Sequence, residues 1–168
     1  MKKSLPLGSY QETLHAGMCG PASLKIVLAY YDVEKSEKEL AEVCGVKKDL
    51  GTNDKGLKHA AEKLGFKVKI KNKSSFRDIE RCLDKKIPVI VNWFTRGRVD
   101  YSDASVAEGH YSVVAGLDDR HIYLQDPEIG RMRKIKRDDF MIVWFDFSGR
   151  CITPDNIIIR QIIAITRQ

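Results

Sequence analysis

The chain has 168 residues, the size of one ordinary domain, and 43% of them are hydrophobic, which excludes a disordered chain. Its 29 basic and 23 acidic residues leave a net charge of +6. The lysines spread over the helix-rich first half and no nucleic-acid motif accompanies them, so a solvated basic surface is expected and no nucleic-acid partner. No apolar run approaches the roughly 18 to 20 residues of a membrane span, and Met1-Lys2-Lys3 leads into Ser4-Leu5-Pro6-Leu7-Gly8 without a signal-like segment. A cytoplasmic chain with no membrane segment is the expectation.

In chain order, residues 1–10 read as an extended lead-in. Pro21 to Tyr31 reads as a helix, with Ala22, Ile26, Ala29 and Tyr30 at helical spacing and Pro21 in the first turn, where its missing N–H is not needed. A second helix runs from Ser36 to Cys44 and stops at Gly45; a third runs from Asp54 to Leu64 and stops at Gly65. Phe66 to Ile70 alternates as a half-buried strand, and Ser75 caps a fourth helix reaching Lys85. Pro88 to Trp93 is an apolar strand, followed by a polar loop from Gly97 to Gly109. His110–Gly116, Ile122–Asp126, Arg131–Ile135, Ile142–Phe145 and Ile162–Ile165 read as successive short strands. Helices first and antiparallel strands second is the α+β order. One domain over residues 1–168 is expected, a helical lobe over 1–86 packed on a sheet lobe over 87–168.

Four cysteines stand at 19, 44, 82 and 151, with neither CxxC nor Cys/His zinc spacing. No metal, no cofactor and no disulfide framework is expected. Cys19 differs from the others because it immediately precedes a helix. A thiol there meets the positive end of the helix dipole and free N–H groups, the surroundings of a reactive sulfur. Gly20 has no side chain, which lets a substrate backbone come close. Cys44 and Cys82 read as helix or core positions, and Cys151 lies in a loop without an assigned role.

A nucleophilic thiol needs a base, and the base needs an orienting group. His110 opens an apolar strand directly after Gly109. A hairpin turn centred on Asp118–Asp119 sets Asp126 opposite His110, or nearly so, on the same face. Directly opposed residues have Cβ atoms about 4.5 to 5.5 Å apart. His15, in the loop before Cys19, is a rival base; His59 reads as a solvated helix residue and His121 as part of the turn.

Tyr10-Gln11-Glu12-Thr13 followed by Cys19-Gly20-Pro21-Ala22-Ser23-Leu24 resembles the N-terminal motif of the bacteriocin-processing cysteine peptidases, papain-like enzymes that cut double-glycine leader peptides. Gly109-His110-Tyr111-Ser112-Val113-Val114 is similar to the histidine motif of that family, and Tyr123-Leu124-Gln125-Asp126-Pro127 to its aspartate motif. The resemblance spans residues 8–135 in the family's order. It implies a papain-like fold and a thiol protease in which Cys19 is the nucleophile, His110 the general base and Asp126 the orienting acid. It also implies that Gln11 donates to the oxyanion hole beside the backbone N–H of Cys19, and that Gly20 and Gly109 line the substrate path. Gln11 precedes Cys19 by a longer interval than is usual in the family. The implied reaction is hydrolysis of a peptide bond through an acyl-enzyme, on leader-type peptides, with a peptide or protein as the partner. Acyl transfer to an amine by the same triad, and a non-catalytic peptide-docking module, are the alternatives that the sequence leaves open.

Overall fold

The local punctuation of the sequence decides where helices begin and end. A computed structural model, which describes residues 2–14, 17–46, 51–94, 109–148 and 152–167, places helix α1 at Cys19–Tyr30, α2 at Glu37–Cys44, α3 at Asp54–Lys63, α4 at Phe76–Asp84 and α5 at Arg137–Val143. Ser36 and Glu39 form a reciprocal capping box at the start of α2, and Gly45 ends that helix in the left-handed region at φ 65°. Asn53 caps α3 by accepting the Gly56 N–H, and Ser75 with Asp78 boxes the start of α4. Helix α1 starts at Cys19, two residues before the expected Pro21, and Met18 supplies no side-chain cap.

The principal sheet contains β1 (Lys3–Ser4), β2 (Phe66–Lys71), β3 (Val89–Phe94), β4 (Gly109–Leu117), β5 (His121–Asp126) and β6 (Arg131–Lys136), with a last strand at Ile162–Arg167 inserted between β2 and β3. Between them in the chain, β7 (Phe145–Phe147) and β8 (Ile157–Ile159) pair as a separate ribbon, so the last strand is β9. The spatial order is β2-β9-β3-β4-β5-β6, antiparallel throughout, with β1 paired to the far end of β4 at Gly116 and Leu117.

Strand alternation gives the sheet two apolar faces. Tyr111 of β4 packs toward Gly20 of α1 on one face. On the other, Trp93 meets Phe140 of α5, which in turn meets Phe76 of α4 and Trp144. Leu24, Leu28, Leu57, Ile90, Val113, Leu124, Phe140 and Trp144 belong to one continuous core, each at most 1% exposed.

One expectation needs correction. The apolar run Ile142–Phe145 is not a strand: α5 continues to Val143, and β7 begins only at Phe145. Asp138 and Asp139 fill the first turn of α5, where carboxylates suit the dipole. A short apolar run does not separate strand from helix by periodicity, and this one is divided by Trp144, whose ring is buried and whose Nε1 donates to the Gln161 carbonyl. The expected order of a helical part followed by an antiparallel sheet holds, with a few elements exchanged. β1 and β2 come from the first 86 residues yet belong to the sheet, while α5 comes from the second part. The expected loop Gly97–Gly109 falls outside the described residues except at Gly109.

Gly56 tests the packing of α2 against α3. A Cβ there would overlap the Cys44 carbonyl oxygen and crowd the Thr52 hydroxyl. Glycine to alanine inside a helix ordinarily gains about 1 kcal/mol. Gly56→Ala is expected instead to lose roughly 1–3 kcal/mol through overpacking, measured by urea denaturation; a gain would contradict the close approach.

Candidate active site

Cys19 is the first residue of α1, half-buried, with a free thiol. Because Met18 does not cap the helix, its first N–H groups are left for a ligand or water. The thiol stands near enough to the His110 imidazole to favour its protonated form. On the other side of the ring, His110 Nε2 stands 2.7 Å from Asp126 Oδ1, which leaves Nδ1 for the sulfur. The edge of the ring also meets Trp93, its cross-strand partner on β3, with ring centroids 5.6 Å apart.

The structure brings His110 and Asp126 together by a register different from the expected one. Val113 faces Gln125 and Leu117 faces Ile122, with a bulge between Val114 and Gly116. His110 is therefore a diagonal neighbour of Asp126, displaced by two residues from direct opposition. A two-residue offset preserves the face, and the diagonal span of about 7–8 Å is within reach of an imidazole and a carboxylate.

Asp126 is held from a third strand as well. Arg133 of β6 donates its Nε to Asp126 Oδ2 at 2.6 Å, and its guanidinium lies 5.8 Å from the centre of the Trp93 ring. Exposure is 4% for His110, 1% for Asp126 and 5% for Arg133. Burial opposes the Asp126 charge, but the hydrogen bonds and charges of His110 and Arg133 outweigh it and hold the carboxyl below its usual range. Burial likewise opposes a charged His110; the hydrogen bonds to Asp126 and Cys19 and their charges prevail, so the imidazole lies well above its usual range. Arg133 was absent from the sequence reading. Its signal was its phase, since it alternates with buried Ile135 among exposed Met132, Lys134 and Lys136.

The segment before α1 is bound to both neighbours of the site. Gln11 Nε2 donates to the Glu128 carbonyl at 3.2 Å, and Glu12 N–H donates to the Pro127 carbonyl at 2.8 Å. Glu37 at the start of α2, 4% exposed, accepts from Tyr10 Oη, from Thr13 N–H and from Thr13 Oγ1. Gln11 itself is exposed and lies against Gly130, whose missing side chain makes room for it. Gly20 is buried, and a Cβ there would collide with Thr52; Gly109 is exposed and lies against the Asp146 carboxylate.

The remaining candidates stand apart. Burial pushes the Cys44 thiol up to about 12 and raises Cys82 as well, so neither has the surroundings of a nucleophile. His59 is exposed on α3, and His121 hydrogen-bonds Asp118 in the turn. His15 and Cys151 lie outside the described residues. Ligand atoms of His110, Asp126 and Glu128 lie within 4.8 Å of one another, a spacing compatible with a metal ion. Both oxygens of Asp126 are already engaged by His110 and Arg133, so the set is better suited to holding an imidazole. Among the described residues no helix is long and apolar enough to cross a membrane.

Residues 15–153 match the profile of the Peptidase C39 family. An uncharacterized protein of Methanothermobacter marburgensis is 38% identical over 137 residues, 82% of this chain and 81% of that one. The same shares hold for an uncharacterized protein of Methanothermobacter thermautotrophicus at 33% identity. The fold is that of the peptidase domain of Streptococcus ComA, a bi-functional ABC transporter involved in quorum sensing (TM-score 0.70, 23% identity, covering 95% of this chain and 98% of that one). It is also that of a double glycine motif protease from an AMS/PCAT transporter, solved with the leader peptide (0.65, 22%, 99% of each). A C39-like peptidase from Bacillus anthracis shares it too (0.70, 17%, 99% and 98%). The expected papain-like α+β fold is thereby established.

Glu12 offers a pH test of the site's electrostatics. Its Oε2 is buried without a hydrogen-bond partner. Burial, opposed by His110 and reinforced by Glu128, Glu37 and Asp126, lifts its pKa from 4.5 to about 7. The folded state therefore holds this proton more tightly than the unfolded chain. The contribution is fully present below 4.5 and is lost as pH rises through about 7. Glu12→Gln keeps the shape without the charge, so it is expected to raise the melting temperature at pH 8 and change it little at pH 5. Equal effects at both values would show that Glu12 is not held protonated.

Proposed function

This chain belongs to the peptidase C39 family, and from that membership and the site's geometry we propose that it is a cysteine peptidase with Cys19, His110 and Asp126 as its triad. The observation that carries this reading is a single buried imidazole bonded to a buried carboxylate and influenced by a helix-start thiol. His110 takes the thiol proton as the sulfur of Cys19 adds to the substrate carbonyl carbon. The resulting oxyanion is met by the Cys19 N–H and by Gln11, whose amide leaves or shares the Glu128 carbonyl to reach it. The imidazolium then protonates the leaving amine as the C–N bond breaks, giving a thioester. Water, deprotonated by His110, adds to the thioester and releases the acid and the thiol. Asp126 fixes the ring and stabilises its cation, and Arg133 fixes Asp126.

Leader-type peptides are the proposed substrates. Support comes from the family and from the fold shared with a protease whose structure holds a leader peptide. The free thiols of Cys19, Cys44 and Cys82 fit a reducing, cytoplasmic setting.

A peptide library read by mass spectrometry, with and without a thiol alkylator, tests the activity. Alkylation and Cys19→Ala should each abolish cleavage while the fold persists; cleavage by Cys19→Ala would remove the nucleophile assignment. Gln11→Ala should lower kcat by about 10²–10³ with little change in KM, because oxyanion donors act in the transition state. Unchanged kinetics would assign the oxyanion to another donor.

A further inference from the structure

A row of polar side chains crosses the end of the sheet nearest Cys19, on the face that α1 covers. Asn92 of β3 stands opposite Tyr111 of β4. Val91 faces Ile162, so the next step of that register sets Gln161 opposite Asn92. Lys71 also faces Ile162, so the same step in β2 sets Asn72 on the other side of Gln161, and Gln161 Nε2 donates to Asn72 Oδ1 at 3.0 Å. Opposed residues share a face. The row Asn72, Gln161, Asn92, Tyr111 therefore runs across four strands and ends against Gly20, the residue after Cys19.

Two carboxylates lie over it. Asp54, at the start of α3, accepts Gln161 Nε2 at 2.9 Å. Asp146 of β7 accepts Asn92 Nδ2 at 3.0 Å and lies against Gly109, the residue before His110. The charges of Asp54, Asp146 and Cys19 all act on the Tyr111 hydroxyl, and that of Asp54 acts on Asp146. Both carboxylates are half-buried, and among the described residues neither has a cationic partner. Beneath them Asn92 and Gln161 are 2% and 1% exposed, yet Asn92 Oδ1 and Gln161 Oε1 accept no hydrogen bond. Gln161 gives its N–H groups to Asp54 and to Asn72 Oδ1, and Asn92 gives one to Asp146 and bonds the Tyr111 hydroxyl, so each amide oxygen is left over. The cluster has a surplus of acceptors and of negative charge within a chain of net charge +6.

We propose that this row, with Asp54 and Asp146, is a subsite for a cationic, donor-rich side chain of the peptide substrate, a lysine or an arginine close to the scissile bond. An ammonium or guanidinium supplies what the cluster lacks: several N–H donors and a positive charge between two carboxylates. The inference rests on the reading of Cys19 as the nucleophile, because it fixes where the substrate lies.

The test uses the thiol and requires no peptide cleavage. Wild-type protein is treated at low ionic strength with N-chloroacetyl-lysine amide and, separately, with N-chloroacetyl-norleucine amide. The two share one warhead and differ in the ammonium. The rate of modification at Cys19 is read by peptide mapping. The lysine reagent is expected to react about fivefold faster, the scale of one modest ion pair. The ratio should fall toward one in Asp54→Asn and in Asp146→Asn, each of which keeps the side-chain shape. Equal rates in the wild type overturn the proposal, and that arm depends on no variant folding. A ratio that survives both substitutions overturns it as well. If the lysine preference holds while no peptide is cut, the subsite stands and the peptidase reading fails. If peptides are cut without any preference, the reverse is true.

Discussion

Asp126 has 1% of its surface exposed and carries its charge inside the protein. An ionised carboxylate at that depth survives only if both oxygens are paired, and removing one partner of such a pair typically costs about 3–5 kcal/mol. Here the partners come from the strands on either side. His110 of β4 takes Oδ1 and Arg133 of β6 takes Oδ2. Since Leu124 faces Arg133 in the ladder, Arg133 is diagonal to Asp126, just as His110 is on the other side. The carboxylate thus fixes two diagonals at once, and through His110 it fixes the direction from which the imidazole meets the Cys19 sulfur. Trp93 covers the arrangement, with its ring against His110 and near Arg133, and its Nε1 bound to Ser112 Oγ at 3.0 Å.

The sulfur has to be brought to that imidazole from the helical side, and a second buried carboxylate contributes to this. Glu37 binds Tyr10 and Thr13, so the segment before α1 is tied to α2. The same segment is tied to the turn after β5 through the Pro127 and Glu128 carbonyls. Residues 10–13 therefore bridge the helix that carries Cys19 and the strand that carries Asp126. A helix-start thiol by itself has no base; the bridge places this one beside a particular histidine.

Much of this was legible in the sequence because it is written in local chemistry. The glycine ends of α2 and α3, the serine caps and the apolar β3 all depend on residues close in the chain. The His110–Asp126 pairing was legible through the parity of a hairpin, which tolerates a two-residue error in register without changing the face. The turn, centred one residue later than expected, supplied that error, and the bulge took back part of it. Less legible was whatever depends on distant chain segments. Arg133 and Glu37 look like ordinary charged residues until the sheet and α2 close over them. The division of the run around Trp144 is decided by a bond to Gln161. β7 matters because Asp146 reaches Asn92, 54 residues earlier in the chain.

The carboxyls around His110 are sorted by their partners. Glu12 and Asp126 share one neighbourhood and are both substantially buried, yet the first is driven up to about 7 and the second is held below its usual range. Burial acts on both in the same direction, so it does not cause the difference. What separates them is that Arg133 and the His110 Nε2 reach Asp126, whereas the buried oxygen of Glu12 reaches nothing. Once Asp126 is ionised, its charge helps to keep the proton on Glu12. A site crowded with acids thereby presents one fixed anion to the imidazole. Had Glu12 ionised instead, the negative charge would sit on a carboxylate with no defined direction toward the ring. Arg133 thus decides, from a neighbouring strand, which of the two carboxyls stays ionised beside the imidazole.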